Sequence, residues 1–242
     1  MSKNLIKKCL FLLLIIISLI VVFFIMKKYD AEGEKVLPYS IEKILVVSTV
    51  NGNVVDDPQN MWNVGVTQIN DIYIYINKTL LDGDAVIKEI KLDNFTLNKA
   101  PQKGKVKLLR PTGELSNLYT YSEQDYFNSE IVYTGDKIDD MKSLEISNNG
   151  GMLGFRLSLE DLGEYVSNDA QEITYDGKLL SNLGINIEQI KFNVSFDITI
   201  TTSDDISFKG NLKLDLPIDT VIEEGSSNKE ITNFDDVIFK RT

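Results

Sequence analysis

Residues 9–26, CLFLLLIIISLIVVFFIM, form an 18-residue run without charge, proline or glycine. As an α-helix the run reaches about 27 Å, close to the hydrocarbon thickness of a bilayer. No other stretch constrains the chain as strongly, because a segment this apolar must leave water and the remainder has to fold apart from it. A secretory signal carries a shorter apolar core followed by a small-x-small cleavage site. The nearest candidate, Ala31-Glu32-Gly33, comes only after Lys27, Lys28 and Asp30. The run is therefore read as a retained transmembrane helix over 9–26, between a short cytoplasmic N-terminus (1–8) and a linker (27–35). Cys9 opens the run, whereas a lipidated signal carries its cysteine after the apolar core. Lys3, Lys7 and Lys8 precede the helix, and Lys27 and Lys28 follow it together with Asp30, Glu32 and Glu34. The positive-inside rule then keeps the N-terminus inside. The expected location is the cell membrane, single-pass, with the C-terminal domain extracellular. Richness in isoleucine, lysine and asparagine points to an AT-rich bacterial genome, and so to the cell envelope.

The remainder is long enough to bury a core, and it holds together without disulfides, since Cys9 is the only cysteine. Beyond Lys28 lie all 36 acids and 20 of the 25 bases, which leaves a charge of −16. Such a surface repels nucleic acid, anionic lipid and polyanionic polymer. The expected partners are the membrane, through the helix, and an unidentified protein or glycan. No nucleic acid is expected.

Strand patterns dominate this part. DIYIYIN at 71–77 alternates isoleucine with tyrosine, and FNVSFDITITT at 192–202 alternates Phe192, Val194, Phe196, Ile198 and Ile200 with polar residues. Period two puts each set on one face of a half-buried antiparallel strand. Asn51-Gly52, Asn149-Gly150 and Asp204-Asp205 read as turns, because these residues tolerate positive φ. SLEDLGEYV from Ser158 reads as a helix capped by that serine. The polar segment 223–233 reads as a loop before a last strand near 237–240. With a shift of 100, KTLLDGDAVIKEIKL (78–92) meets KLLSNLGINIEQIKF (178–192) without a gap, matching Ile87 with Ile187 and Ile90 with Ile190. A period near 100 residues suits a small β-sandwich. The expected fold is mainly β: the transmembrane helix followed by tandem antiparallel β-sandwich (Ig-like) domains over 36–122 and 123–242. The alternative is one pseudo-symmetric β-sandwich.

The residue types present exclude several chemistries. Without histidine there is no serine-histidine triad and no imidazole ligand, and without a cysteine beyond Cys9 thiol catalysis and ordinary zinc sites fall away. Ser40/Lys43 and Ser226/Lys229 fit the spacing of a serine-lysine dyad but lack its companion elements. No enzymatic activity is expected, and the alternative is an envelope-located acid-pair glycoside hydrolase, which needs two facing carboxylates, one with a raised pKa. No resident cofactor is expected either. Calcium is the one metal for which the sequence offers ligands, at Asp56, Asp57, Asp82 and Asp84, none with EF-hand spacing. The aromatic candidates are Tyr73 and Tyr75, and Tyr119 and Tyr121, two Y-x-Y pairs that would form an outward stacking surface if the isoleucines fill the core. The function these features outline is a single-pass, membrane-anchored, extracytoplasmic, non-catalytic binding or scaffold protein.

Overall fold

The computed structural model describes residues 3–33, 37–56, 62–79, 86–112, 120–135, 144–167 and 177–242. Helix α1 (Lys3–Gly33) contains the apolar run, and none of its Lys7–Met26 span is buried inside the protein. By length and composition this helix can cross a membrane.

The rest is mainly β. In chain order it comprises β1 (Tyr39–Asp56), β2 (Trp62–Lys78), β3 (Ile87–Lys99), β4 (Lys105–Leu109), β5 (Ile131–Thr134), β6 (Leu144–Glu145), β7 (Gly150–Glu160) and β8 (Glu164–Ser167). Short helices α2 (Lys178–Asn182) and α3 (Ile187–Ile190) lead to β9 (Phe192–Thr202) and β10 (Ser207–Leu216). Helix α4 (Val221–Glu224), β11 (Ser226–Ile231) and β12 (Lys240–Arg241) end the chain. The first sheet has the order β11-β1-β2-β7-β4, with β8 also on β2, and the second has the order β12-β10-β9-β3-β5-β6. All pairs are antiparallel except β5 with β6.

The alternation read from sequence builds the interior. Ile72, Ile74 and Ile76 of β2 and Val194, Phe196, Ile198 and Ile200 of β9 are fully buried, while Tyr73 and Tyr75 stay half-buried on the other side of β2. The two sets belong to one core shared by both sheets. Phe155 of the first sheet meets Phe95 and Phe196 of the second edge-on, at 5.6 and 5.3 Å between ring centroids. Each fully buried aliphatic side chain of this kind contributes about 1.5–3 kcal/mol over its exposed state.

Tandem Ig-like domains are not confirmed by this arrangement. Each sheet takes strands from both sides of residues 122/123: β1, β2 and β4 lie beside β7, β8 and β11 in one, and β3 lies between β9 and β5 in the other. The shift of 100 also pairs unlike structures, since Ile87 and Ile90 lie on β3 whereas Ile187 and Ile190 lie in α3. Three local expectations change as well. Asn51-Gly52 sits inside β1, with Gly52 opposite Val66, because the ladder with β2 continues past it. Ser158 lies on β7 between β2 and β4, where Leu157 and Leu159 are buried, and pairing on both flanks overrides the local capping pattern. The segment 223–233, read as a loop, holds β11, an edge strand whose polar residues meet solvent.

A second, smaller core packs α2, α3 and Val221 of α4 against Val50, Val64, Val66 and Leu159 of the first sheet. At the border of the two cores lie Ser48, Gln68 and Asn70, all fully buried. Ser48 Oγ donates to Asn70 Oδ1 (2.7 Å), Gln68 Nε2 donates to the same oxygen (3.0 Å), and Asn70 Nδ2 donates to Gln68 Oε1 (2.9 Å) and Leu157 O (3.4 Å). Ser48 Oγ in turn accepts from Ile218 N at 3.0 Å, just after β10 ends. The network therefore ties the first sheet to the chain leaving the second. Asn70→Ala strands the Ser48 hydroxyl and the Gln68 amide away from water and is expected to lower stability by about 2–4 kcal/mol. Ser203→Ala, which removes an exposed bond to Asp204 in the turn between β9 and β10, is expected to change it by under about 0.5 kcal/mol. Equilibrium urea unfolding of the two variants checks the contrast, and equal losses would contradict it.

Candidate functional site

The outward face of the first sheet gathers three of the four expected tyrosines. The ladder fixes their neighbours: Tyr73 lies opposite Leu45 and Gly154, Tyr75 opposite Lys43 and Met152, and Asp71 opposite Val47 and Arg156. Directly opposite residues point to the same side of a sheet, so aromatic, aliphatic and paired charged groups share this face.

Tyr121 arrives from a separate segment. An isolated bridge joins Pro111 to Tyr121, Ser122 N donates to Arg110 O at 2.9 Å, and Tyr126 N donates to Leu108 O at 2.7 Å. These bonds turn residues 120–126 back along β4 and carry the Tyr121 ring onto Arg156, whose guanidinium carbon lies 4.0 Å from the ring centroid. Arg156 also donates two bonds to Asp71, Nε to Oδ1 at 2.7 Å and Nη2 to Oδ2 at 2.9 Å. A planar fork held by a carboxylate and capped by an aromatic ring is a geometry that only arginine supplies. A weaker repeat lies two same-face positions along β2, where Lys43 sits 5.2 Å from the Tyr75 centroid and forms an ion pair with Glu230 at 3.0 Å.

Gly154 lies against the Tyr73 ring, with room for a methyl group and little more. A Cβ built there would already touch the Tyr73 ring at 3.5 Å, so a larger side chain would displace the ring. From the opposite sheet the Tyr133 hydroxyl donates to Gly154 O and accepts from Gly154 N at 2.9 Å. It satisfies main-chain groups where β4, which pairs with β7 only from Arg156 to Glu160, no longer reaches.

The outward face of the second sheet differs in chemistry. Asp197 accepts from Asn94 (2.9 Å) and Asn211 (2.8 Å) and pairs with Lys209 (2.9 Å), while Asp93 pairs with Lys91 (3.1 Å). Asn98 and Asp215 extend the network through Asn193. Burial alone would raise the Asp197 carboxyl, but the bonds from Asn211, Asn94 and Lys209 outweigh it and hold the group below its ordinary value. A hydrogen bond from Lys191 likewise lowers Glu188. An acid-pair hydrolase needs a displacement in the opposite sense.

Of the remaining candidates, Tyr119, Asp57, Asp82 and Asp84 lie outside the described residues, and Asp56 ends β1 with its side chain outside them too. Among the described residues there is no group of three or more acidic or cysteine side chains able to hold a metal ion. Arg156, Asp71 and Lys43 are the participants that residue patterns missed. The chain has only three arginines, so one set within an apolar alternation was the available signal.

Burial, reinforced by Asp71 and Tyr73, pushes the Tyr121 phenol far above its ordinary 10.0. Burial does the same to Tyr133 against the effect of its bond to Gly154. Both are protonated in the folded state where unfolded phenols ionise, so their contribution is fully present below about pH 10 and lost as pH rises beyond it. The urea midpoint is expected to fall on the alkaline side of that value, with a shallower fall in Tyr121→Phe. An identical alkaline slope in the variant would contradict this. Comparison of the chain with family models, with curated proteins and with solved structures finds no match in any of the three.

Proposed function

We propose that the chain is a single-pass, membrane-anchored, extracytoplasmic protein of a bacterial cell envelope that binds or scaffolds without catalysing a reaction. The helical run Lys7–Met26 carries this reading, because its leucine, isoleucine, valine and phenylalanine side chains stand exposed with no protein surface covering them. Each gains about 1.5–3 kcal/mol on leaving water, and a bilayer of about 30 Å is the environment that accommodates all of them together. The preceding lysines favour an inside N-terminus.

The contrast between the two sheets supports a binding role for the first. A face of Tyr73, Tyr75, Tyr121, Leu45 and Met152 around paired charges offers stacking area together with fixed hydrogen-bonding groups, a combination suited to a protein or glycan surface. The opposite face, covered by interlocked asparagine, aspartate and lysine, suits solvent.

Two measurements test the reading. The full chain is expected to stay with membranes through an alkaline carbonate wash, and its body is expected to be digested by protease added outside intact cells. A body recovered free in the medium, or protected on the inner side, would overturn the anchor or the orientation. For the face, the double variant Tyr73→Ala/Tyr75→Ala is expected to lose most of the crosslinked species formed by the wild-type chain in native membranes. An unchanged crosslinking pattern would remove the tyrosines from the site.

A further inference from the structure

The second sheet ends in an edge that its own chain only begins to cover. Strand β12 pairs with β10 at two positions, Phe208 with Arg241 and Lys209 with Lys240, and Thr242 N donates to Ser207 O at 2.9 Å. Because the pleat repeats every second residue, the edge that Ser207 presents to Thr242 also carries the main-chain groups of Asn211, Lys213 and Asp215. On the other side of β10 the ladder with β9 runs the whole length from Ser207 to Leu216. Among the described residues no backbone group bonds Asn211, Lys213 or Asp215 on the open edge. Instead of continuing along β10, the residues between β11 and β12 cross toward the first sheet. Beside the open edge they border a cleft of about 620 Å³ whose apolar lining includes Ile44, Leu212, Leu214, Phe234, Val237 and Ile238. Ile238 is 54% exposed there.

We propose that this edge receives an extended segment of a partner protein, added antiparallel to β10 in line with β12. The inference goes beyond the tyrosine face and is independent of it. Residues of the incoming strand opposite Leu212 and Leu214 point into the cleft and are apolar. The residue opposite Asp215 points to solvent and is basic. Main-chain bonds to Asn211, Lys213 and Asp215 supply affinity, and the cleft supplies side-chain selection.

Charge selects the class of partner. The body beyond Lys28, with 36 acids against 20 bases, carries −16, which opposes a second copy of the same chain. A two-fold pairing centred on Lys213 would also set that lysine against itself. A lysine and a short terminal strand are familiar guards against edge aggregation. Here they keep copies apart while the adjoining apolar cleft favours a segment of complementary charge.

The test uses the full chain in detergent and a capped, fluorescein-labelled peptide of about seven residues, the length of the open stretch of β10, in which valine alternates with polar residues so that lysine falls opposite Asp215 and threonine opposite Lys213 and Asn211. A control peptide of the same composition is N-methylated at every second amide, on the edge-facing side. The parent peptide is expected to bind and to slow hydrogen exchange at the amides of Asn211, Lys213 and Asp215. The methylated peptide is expected to bind at least roughly tenfold more weakly, the loss of one or more backbone bonds. Lys213→Pro removes an edge-facing amide while leaving the β9 ladder intact, and is expected to weaken the parent peptide similarly with little change in melting midpoint. Equal binding of the two peptides would reduce the effect to charge attraction and overturn the proposal even if Lys213→Pro failed to fold. Absence of binding at millimolar peptide, unchanged exchange at the three amides, undiminished binding by a folded Lys213→Pro chain, or a concentration-dependent dimer through this edge would each overturn it as well.

Discussion

Ser48, Gln68 and Asn70 are buried polar residues placed where alternation calls for apolar ones, and the architecture turns on how they satisfy one another. An unpaired amide in such a place would oppose folding by about 1–3 kcal/mol, so the arrangement stands only when strands β1 and β2 hold one register. A slip by one residue would send Asn70 outward and Asp71 inward. The network also fixes where the large core shared by both sheets gives way to the smaller one under α2, α3 and α4, and Ile218 N ties the exit of β10 into it. Hydrophobic burial supplies most of the stability, and this polar knot makes a single pairing the favoured one.

The two outward faces follow from the same pleat with different residues. On β2 the alternate positions are Asp71, Tyr73 and Tyr75, and on β9 they are Asn193, Ser195 and Asp197. Tyrosine and leucine leave a face that water covers poorly, whereas amides and carboxylates with lysines bind water and each other. A sandwich built this way has one side of interlocked polar groups and one of aromatic and aliphatic groups, the difference on which the proposed binding role rests. The open edge of β10 is a third kind of surface, in which the backbone supplies the hydrogen-bonding groups.

Local pattern revealed the strands that bury one face and tyrosines that share the other, because period two is written directly into DIYIYIN and FNVSFDITITT. The turns at Asn149-Gly150 and Asp204-Asp205 were legible for the same local reason, and Gly150 and Asp205 do adopt positive φ, 114° and 62°. What stayed hidden depends on which strand lies beside which. The helix read at Ser158 failed because β2 and β4 flank that segment, and the sharing of each sheet by strands from both sides of residues 122/123, which leaves the tandem Ig-like reading unconfirmed, is written in no local pattern. Arg156 was invisible as a partner of Asp71 and Tyr121 since its nearest neighbours are 85 and 35 positions away in sequence. A glycine inside a strand says only that something comes close; what comes close is a matter of assembly.

Gly154 shows how closely the tyrosine face and the interior are joined. Its missing side chain makes room for Tyr73 above, and its main chain is clasped by Tyr133 reaching across from the other sheet. Outer surface and inner packing thus meet in one residue of β7. Change on such a face is graded: alanine at residue 154 would meet the Tyr73 ring in ordinary contact, a larger side chain there would have to move the ring, and loss of the Tyr133 hydroxyl would leave Gly154 main-chain groups without their partner.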